Sequence, residues 1–157
     1  MRAVLNARFG VRRSSSVAER RRERYPDAPV PDMPNAERIL LVEDHADTSA
    51  AVFHILTDRG YSVTVVDNGQ QALDLLDHGL RARVIIVDLM LPHVSGPQLL
   101  GYLQSDPELR LTPTIVITGM PREQVKVVAD VVLSKPLDFL QLAATVDELV
   151  ARHQARA

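Results

Sequence analysis

Carboxylates follow two apolar runs of the sequence at the point where each run ends. Glu43 and Asp44 come directly after residues 39–42, and Asp88 comes directly after residues 84–87. Three carboxylates brought together repel one another, and without a counter-charge the pKa of at least one of them would rise. A divalent cation lets all three stay ionised, and carboxylate oxygens suit a hard ion such as Mg²⁺. If the fold joins the two runs, these residues predict a magnesium-type site.

A hydroxyl and an ammonium group follow two later apolar runs. Thr118 comes after residues 115–117, and Lys135 comes shortly after residues 131–133. A threonine hydroxyl can donate a hydrogen bond to an anion, and a lysine ammonium can pair with one. Lys135 and Lys126 are the only lysines among the eighteen basic residues. A position that departs from the use of arginine elsewhere can require an ammonium group.

These residues need strands and helices that bring them to one place. Five apolar runs rich in β-branched residues lack polar alternation, which is typical of strands covered on both faces. Amphipathic periodicity predicts helices over residues 47–59, after Asn68-Gly69, from about Pro97, and over residues 138–152 with Asp138 as N-cap. The alternation predicts a doubly wound parallel α/β sheet with right-handed crossovers. Strands one and three are then neighbours, so their carboxyl ends share one crevice.

The predicted inward faces of these helices consist of small and aliphatic side chains. The four helices are expected to bury, in chain order, Ala51, Val52, Ile55 and Leu56; Ala72, Leu73, Leu75 and Leu76; Leu99, Leu100 and Leu103; and Leu142, Val146, Leu149 and Val150.

The interval between Thr118 and Lys135 fits a helix poorly. It holds sixteen residues, and valines occupy positions 125, 127, 128, 131 and 132. Valine loses side-chain freedom in a helix and favours strands. We therefore expect a short, irregular or missing fourth helix.

Length and composition limit the function classes. A chain of 157 residues with 46% hydrophobic content is typical of one globular domain. The absence of cysteine excludes disulfides, zinc–thiolate sites and cysteine nucleophiles, and is compatible with a reducing compartment. No apolar run approaches the length of a membrane span, and no secretory signal precedes the first strand. We expect a cytoplasmic protein.

The first 36 residues differ in charge from the rest. They carry eight arginines and four acidic residues, a balance of +4, whereas the remainder has a balance of -6, giving -2 in total. With a serine triplet and four prolines, this stretch is predicted to be a disordered extension. A transit peptide, a nucleic-acid arm and a translation start at Met33 remain alternatives. The folded domain is expected over residues 37–154, with no output domain after it.

Four motifs resemble the receiver domain of response regulators in two-component signalling. They are Leu41-Val42-Glu43-Asp44, Val87-Asp88-Leu89-Met90-Leu91-Pro92 with Gly96, Val116-Ile117-Thr118-Gly119 and Ser134-Lys135-Pro136. Each motif alone is a weak signal, but all four occur in order on the expected strand ends, within roughly residues 37–152. The resemblance implies a five-stranded flavodoxin-like sheet of order 2-1-3-4-5.

The resemblance also assigns roles to individual residues. It implies that Asp88 accepts a phosphoryl group from the phosphohistidine of a sensor histidine kinase or a histidine phosphotransfer protein. Glu43, Asp44, Asp88 and the backbone carbonyl of Met90 would hold Mg²⁺. Thr118 and Lys135 would contact the phosphoryl oxygens, and the Lys135-Pro136 bond would be cis.

The sequence departs from the family pattern in the segment that should report phosphorylation. Val132 occupies the position of an aromatic switch residue, and the fourth helix is shortened or lost. Met90 and Met120, two residues beyond Asp88 and Thr118, offer no polar group to orient an attacking water, so we predict slow self-dephosphorylation.

Three function classes remain in view. The first is a phospho-accepting receiver, not an enzyme with a separate substrate, that switches a protein interface toward an unknown target. The second is a degenerate receiver that acts as an unphosphorylated interaction module. The third, an enzyme or nucleotide binder, is disfavoured because the loop after strand one is acidic where a phosphate cradle needs glycines. We expect no direct nucleic-acid binding by the folded domain.

Overall fold

The computed structural model describes residues 37–156. The predicted extension over residues 1–36 lies outside the described residues and stays a prediction. The described part is built around one parallel sheet of five strands. The strands are β1 (Arg38–Val42), β2 (Ser62–Val66), β3 (Val84–Asp88), β4 (Thr114–Thr118) and β5 (Val131–Ser134), in the order β2-β1-β3-β4-β5. The predicted fold class and strand order are confirmed.

Four α-helices connect the strands. They are α1 (Ala46–Asp58), α2 (Gly69–Asp77), α3 (Gly96–Ser105) and α4 (Phe139–Ala155). Side chains of His45, Asn68, Ser95 and Asp138 cap their N-termini by accepting hydrogen bonds from first-turn amides. Two short 3₁₀ helices, Leu109–Leu111 and Arg122–Gln124, complete the elements of the described residues. Among these residues no helix has both the length and the apolar character needed to cross a bilayer.

The sheet separates two hydrophobic cores. One core lies between the sheet and helices α1 and α4, and the other lies between the sheet and helices α2 and α3. β3 is buried along its whole length, because it is a central strand covered on both faces. This burial fixes the strand end that carries Asp88.

The predicted inward face of α1 was partly wrong. Val52 and Leu56 are buried, and the half-buried Ile55 packs against the same core, as expected, whereas Ala51 is only half-buried. Phe53, which the prediction omitted, is 2% exposed and belongs to the core. Phe53 is buried as well because α1 packs against both β2 and α4, so its apolar face is wider than one stripe.

The segment between β4 and β5 contains no α-helix, as expected. After the 3₁₀ turn, Val125, Val127 and Ala129 are half-buried against the second core, while Lys126 and Val128 between them are exposed. This period-two burial is typical of an extended chain rather than a helix. The extended segment therefore takes the place of a fourth helix between β4 and β5.

A polar cluster ties α4 to the turn between α1 and β2. The Tyr61 hydroxyl donates a hydrogen bond to Asp147 Oδ1 at 2.6 Å, and Arg59 forms an ion pair with the same carboxylate. Burial and this hydrogen bond raise the pKa of Tyr61 above its usual value. The neutral phenol is thus the form that the folded chain stabilises.

Candidate functional site

Asp88 lies at the C-terminal end of β3, between the ends of β1 and β4 in the sheet. The residue is only 3% exposed, so its carboxyl group is held inside the protein rather than in solvent. The backbone N–H of Met90 donates a hydrogen bond to Asp88 Oδ1 at 2.8 Å, and Lys135 Nζ contacts Asp88 Oδ2. The carboxylate is therefore oriented by one amide and one cation.

Glu43 and Asp44 lie at the end of β1, where the neighbouring strand places them beside Asp88. Ligand-capable oxygens of Glu43, Asp44 and Asp88 all lie within 4.8 Å of one another. Glu43 is fully buried, with Oε1 accepting the backbone N–H of His45 at 2.9 Å, whereas Asp44 is exposed. The adjacent Glu43 and Asp44 and the distant Asp88, 44 residues after Asp44 in the sequence, thus form one cluster.

Lys135 bridges the cluster from the end of β5. Its Nζ contacts Asp88 Oδ2 and lies 3.4 Å from Glu43 Oε2. Burial alone would lower the pKa of Lys135, but the hydrogen bond and charge of Asp88 and the charge of Glu43 outweigh it, so the pKa is raised. The ammonium is charged at neutral pH and offsets part of the acidic repulsion. The Lys135-Pro136 bond is cis, as expected.

Thr118 ends β4 next to this cluster. The residue is 1% exposed, and its hydroxyl accepts a hydrogen bond from the Met120 N–H at 3.0 Å. Its backbone carbonyl accepts the N–H of Lys135 at 2.8 Å, which joins the ends of β4 and β5. Because the hydroxyl proton of Thr118 is not used in the Met120 contact, it can be donated to an anion.

The charge distribution fits a divalent cation. Glu43 Oε2 is a buried oxygen with no hydrogen-bond partner within the described residues. The pKa of Glu43 is raised, chiefly by its burial and in addition by the negative charge of Asp88. The hydrogen bond from the His45 N–H and the charge of Lys135 lower the pKa, but not by enough to cancel this rise. Carboxylate oxygens of this kind are ligands for Mg²⁺, and a cation would relieve the repulsion. The donor set therefore fits a magnesium ion.

The loop after Asp88 is held by close backbone packing at the start of α3. The N–H of Gly96 donates to the Leu89 carbonyl at 3.2 Å. A Cβ atom added at Gly96 would lie 2.5 Å from Leu89 Cα and 2.6 Å from the Asp88 carbonyl oxygen. Only a glycine lets the first turn of α3 approach the loop after Asp88 this closely. The side chain of Met90 is 70% exposed at the same loop.

Sequence reasoning missed two features that support the site. A Cβ at Gly69 would lie 2.1 Å from the Val94 carbonyl oxygen, so the start of α2 packs directly on the loop between β3 and α3. His45 serves as the N-cap of α1 and donates its backbone N–H to Glu43. Asn68-Gly69 indicated a helix start, but a contact with a residue 25 positions away leaves no local signal. Histidine is not a preferred N-cap, so nothing marked His45.

The other histidines and the charged residues beyond β4 lie outside the site. The five histidines are exposed or half-buried, and no group of three metal-ligating side chains within residues 37–156 includes one of them. Arg122, Glu123 and Lys126 are exposed on the surface.

Comparisons with known proteins identify the same architecture. The family model described as "Response regulator receiver domain" matches residues 39–147. Response regulator Rre1 of Synechocystis sp. is 36% identical over 123 residues, which are 74% of this chain and 53% of that protein. The chain thus spans about half the length of this curated relative.

Two solved structures are also similar. The signal receiver domain of a signal transduction histidine kinase from Syntrophus aciditrophicus has a TM-score of 0.68 and 33% identity, with 74% of this chain and 91% of that chain covered. The receiver domain of a sensor histidine kinase from Pseudomonas aeruginosa, solved with a magnesium ion coordinated in its active site cleft, has a TM-score of 0.67 and 24% identity; 74% of this chain and 98% of that chain are covered. By motif, topology and family match, the chain belongs to the response-regulator receiver-domain family of two-component signalling.

Proposed function

We propose that this receiver accepts a phosphoryl group on Asp88 in a magnesium-dependent transfer from a phosphohistidine. The donor is a sensor histidine kinase or a histidine phosphotransfer protein. The observation that carries the proposal is the contact of Lys135 with Asp88 inside a cluster of three carboxylates whose oxygens lie within 4.8 Å of one another. This set combines an acceptor, a candidate metal site and a fixed cation.

The chemistry of the transfer requires an acceptor oxygen and neutralised phosphoryl oxygens. A carboxylate oxygen of Asp88 forms the new P–O bond while the P–N bond to the donor histidine breaks, and the histidine keeps the electron pair. Lys135 and the Thr118 hydroxyl stabilise charge on the phosphoryl oxygens from the ends of β5 and β4. Mg²⁺ supplies charge neutralisation when bound by Glu43, Asp44, Asp88 and the Met90 carbonyl.

Asp88 is a better acceptor candidate than Asp44. Asp88 is buried at the centre of the cluster, with each carboxylate oxygen contacted by Met90 N–H or by Lys135. Asp44 is exposed, and its position suits a metal ligand at the rim. An acceptor held by fixed contacts meets the requirement for positioning in phosphoryl transfer.

Phosphorylation then acts through Lys135 and Thr118. In the unphosphorylated chain Lys135 contacts Asp88 and Glu43, so a phosphoryl group on Asp88 offers Lys135 a new anionic partner. The extended segment between β4 and β5 follows Thr118 and leads to Lys135, so a movement of these two side chains would reach the surface through this segment. We propose that this segment presents the switched interface to a protein target.

The test is incubation of the purified chain with a small phosphodonor, with and without Mg²⁺, followed by intact-protein mass spectrometry. The expected result is a mass gain of one phosphoryl group that requires Mg²⁺ and disappears in Asp88→Ala. Asp47→Ala, which removes an exposed carboxylate in the first turn of α1, is the matched control and should retain the gain.

The absence of any mass gain, with a folded chain, would contradict the proposal and favour the degenerate receiver. Val132 and the missing helix are the features that suit such an interaction module. The acceptor set argues against it, because an unused site has no need for Glu43, Asp88 and Lys135 in mutual contact.

A further inference from the structure

Met90 is an exposed sulfur-containing residue in direct contact with the proposed phosphoryl acceptor. Its backbone N–H donates a hydrogen bond to Asp88 Oδ1 at 2.8 Å. The residue is 70% exposed and belongs to neither hydrophobic core. A methionine side chain is unbranched and has three rotatable bonds, so it adapts to the space around it. The thioether of Met90 is therefore open to small solutes from the solvent that surrounds the acceptor site.

The sulfur chemistry of this chain is confined to methionine. The chain holds four methionines and no cysteine, so no thiolate competes for an oxidant. Two of the methionines lie within residues 37–156, and their surroundings differ. Met120 is half-buried and packs against the second core, whereas Met90 is outside both cores. Of these two residues, Met90 is the more accessible to an oxidant in solution.

The backbone on both sides of Asp88 is fixed, while the side chain of Met90 is not packed. Leu89 is 4% exposed, and its carbonyl accepts the Gly96 N–H at 3.2 Å. Oxidation of a packed methionine introduces a polar group into a core and disrupts it. Oxidation of Met90 instead adds a polar group at the surface and leaves the backbone contact with Asp88 in place. The chemical change is thus local to the acceptor site.

We infer that Met90 is a site of reversible oxidation, and that its sulfoxide shortens the lifetime of phosphorylated Asp88. This inference rests on the proposed phosphorylation of Asp88. The oxidant is a peroxide. One oxygen of hydrogen peroxide bonds to Met90 Sδ as the O–O bond breaks, the sulfur loses two electrons, and the other oxygen leaves as water with both peroxide protons. The product is a polar sulfoxide in place of a thioether that accepts hydrogen bonds only weakly.

The sulfoxide acts on the water that hydrolyses the acyl phosphate. This water forms a new P–O bond while the bond between phosphorus and the Asp88 oxygen breaks, and the carboxylate keeps the electron pair. The phosphate retains the water oxygen, and one proton passes to the solvent. By accepting a hydrogen bond from the attacking water, the sulfoxide oxygen orients it, which the thioether does not. Oxidation therefore returns the receiver to its unphosphorylated state faster.

The test compares the phosphoryl lifetime with and without prior treatment with hydrogen peroxide. The full chain is phosphorylated with a small phosphodonor and Mg²⁺, separated from the donor, and followed by intact-protein mass spectrometry. Peptide mass spectrometry locates the added oxygen atom. The expected result is oxygen on Met90 and a decay that is faster by about 2- to 10-fold, the effect of one neutral hydrogen bond. Methionine sulfoxide reductases for both sulfoxide epimers should restore the slow decay.

Three variants separate Met90 from the other methionines. Met90→Leu keeps the backbone N–H to Asp88, so it should be phosphorylated and should lose its response to peroxide. Met120→Leu is the matched control and should keep the response. Met90→Gln supplies an amide oxygen and should decay at the faster rate without peroxide. Peroxide treatment of Met120→Leu should leave its free energy of unfolding in urea unchanged, because Met90 belongs to neither core.

Three results would overturn the inference. They are a chain that peroxide does not oxidise at Met90, a chain with the Met90 sulfoxide that decays at the untreated rate, and a faster decay that persists in Met90→Leu. Failure of the untreated chain to accept a phosphoryl group would contradict the proposed function, and this inference with it. Phosphorylation with equal lifetimes before and after oxidation would contradict the effect of Met90 alone.

Discussion

Gly96 should be irreplaceable for steric reasons, and the neighbouring Gly101 provides the matched control. A Cβ at Gly96 would lie 2.5 Å from Leu89 Cα and 2.6 Å from the Asp88 carbonyl oxygen, whereas a Cβ at Gly101 meets nothing within 4 Å. Ordinary contact between carbon atoms begins near 3.5 Å, so Gly96→Ala must displace the loop after Asp88 by about 1 Å. Gly101 lies in the interior of α3 on its exposed side.

The two substitutions should therefore have opposite effects on stability. Overpacking of this kind costs about 1–3 kcal/mol, while alanine in an exposed helix interior stabilises by ~0.5–1 kcal/mol. Urea unfolding with an unchanged slope should show a lower free energy of unfolding for Gly96→Ala and a higher one for Gly101→Ala. The movement of the loop by about 1 Å would also displace Asp88 and the Met90 N–H that orients it. Phosphorylation of Gly96→Ala should therefore slow by up to about 10²-fold.

The reasoning would be refuted if Gly96→Ala matched Gly101→Ala in both unfolding free energy and phosphorylation rate. A loss of stability with an unchanged rate would show that the loop moves without affecting the acceptor. The steric argument would then hold for the fold but not for the positioning of Asp88.

Three further outcomes are expected. Mg²⁺ at one hundred times its dissociation constant should raise the free energy of unfolding, measured by urea denaturation, by about 2.7 kcal/mol in the wild type. The same Mg²⁺ concentration should raise it by much less in Asp88→Asn. Equal increases in the two proteins would contradict the metal site. The phosphorylated chain should lose its phosphoryl group slowly, and Met90→Asn should accelerate the loss by providing a polar group for water; a wild-type lifetime of seconds would reject this. Tyr61→Phe should lower the free energy of unfolding by about 1 kcal/mol at neutral pH. Because the folded chain raises the pKa of Tyr61, the difference in unfolding free energy between wild type and Tyr61→Phe should have its full size below pH 10 and shrink as pH rises further. A difference that increases above pH 10 would show that folding lowers this pKa instead.

The strand ends could be predicted from the sequence because parallel strands impose a simple geometric rule. Glu43, Asp88, Thr118 and Lys135 each follow an apolar run, and the carboxyl ends of neighbouring parallel strands meet at one edge. The valine-rich interval also predicted the missing helix, since β-branched side chains lose freedom in helices. These features depend on local composition, which can be read from the sequence, and on the strand order that alternating strands and helices predict.

The contacts that shape the loop after Asp88 could not be predicted in the same way. Gly69 packs on Val94, and Gly96 packs on Asp88 and Leu89, at distances set by the tertiary arrangement of α2 and α3. A glycine near a helix start has several local explanations, and periodicity does not distinguish them. The burial of Phe53 on α1 likewise depends on the position of α4. Sequence patterns indicate which side chains meet, but not how closely the backbones approach.

The most direct test of the central claim is to locate the phosphoryl group at the peptide level after phosphorylation of the wild-type chain with Mg²⁺. Rapid proteolysis followed by mass spectrometry distinguishes the peptide that carries Glu43 and Asp44 from the peptide that carries Asp88. The account predicts the phosphoryl group on Asp88 alone. A phosphoryl group on Asp44 or on any residue other than Asp88 would contradict it.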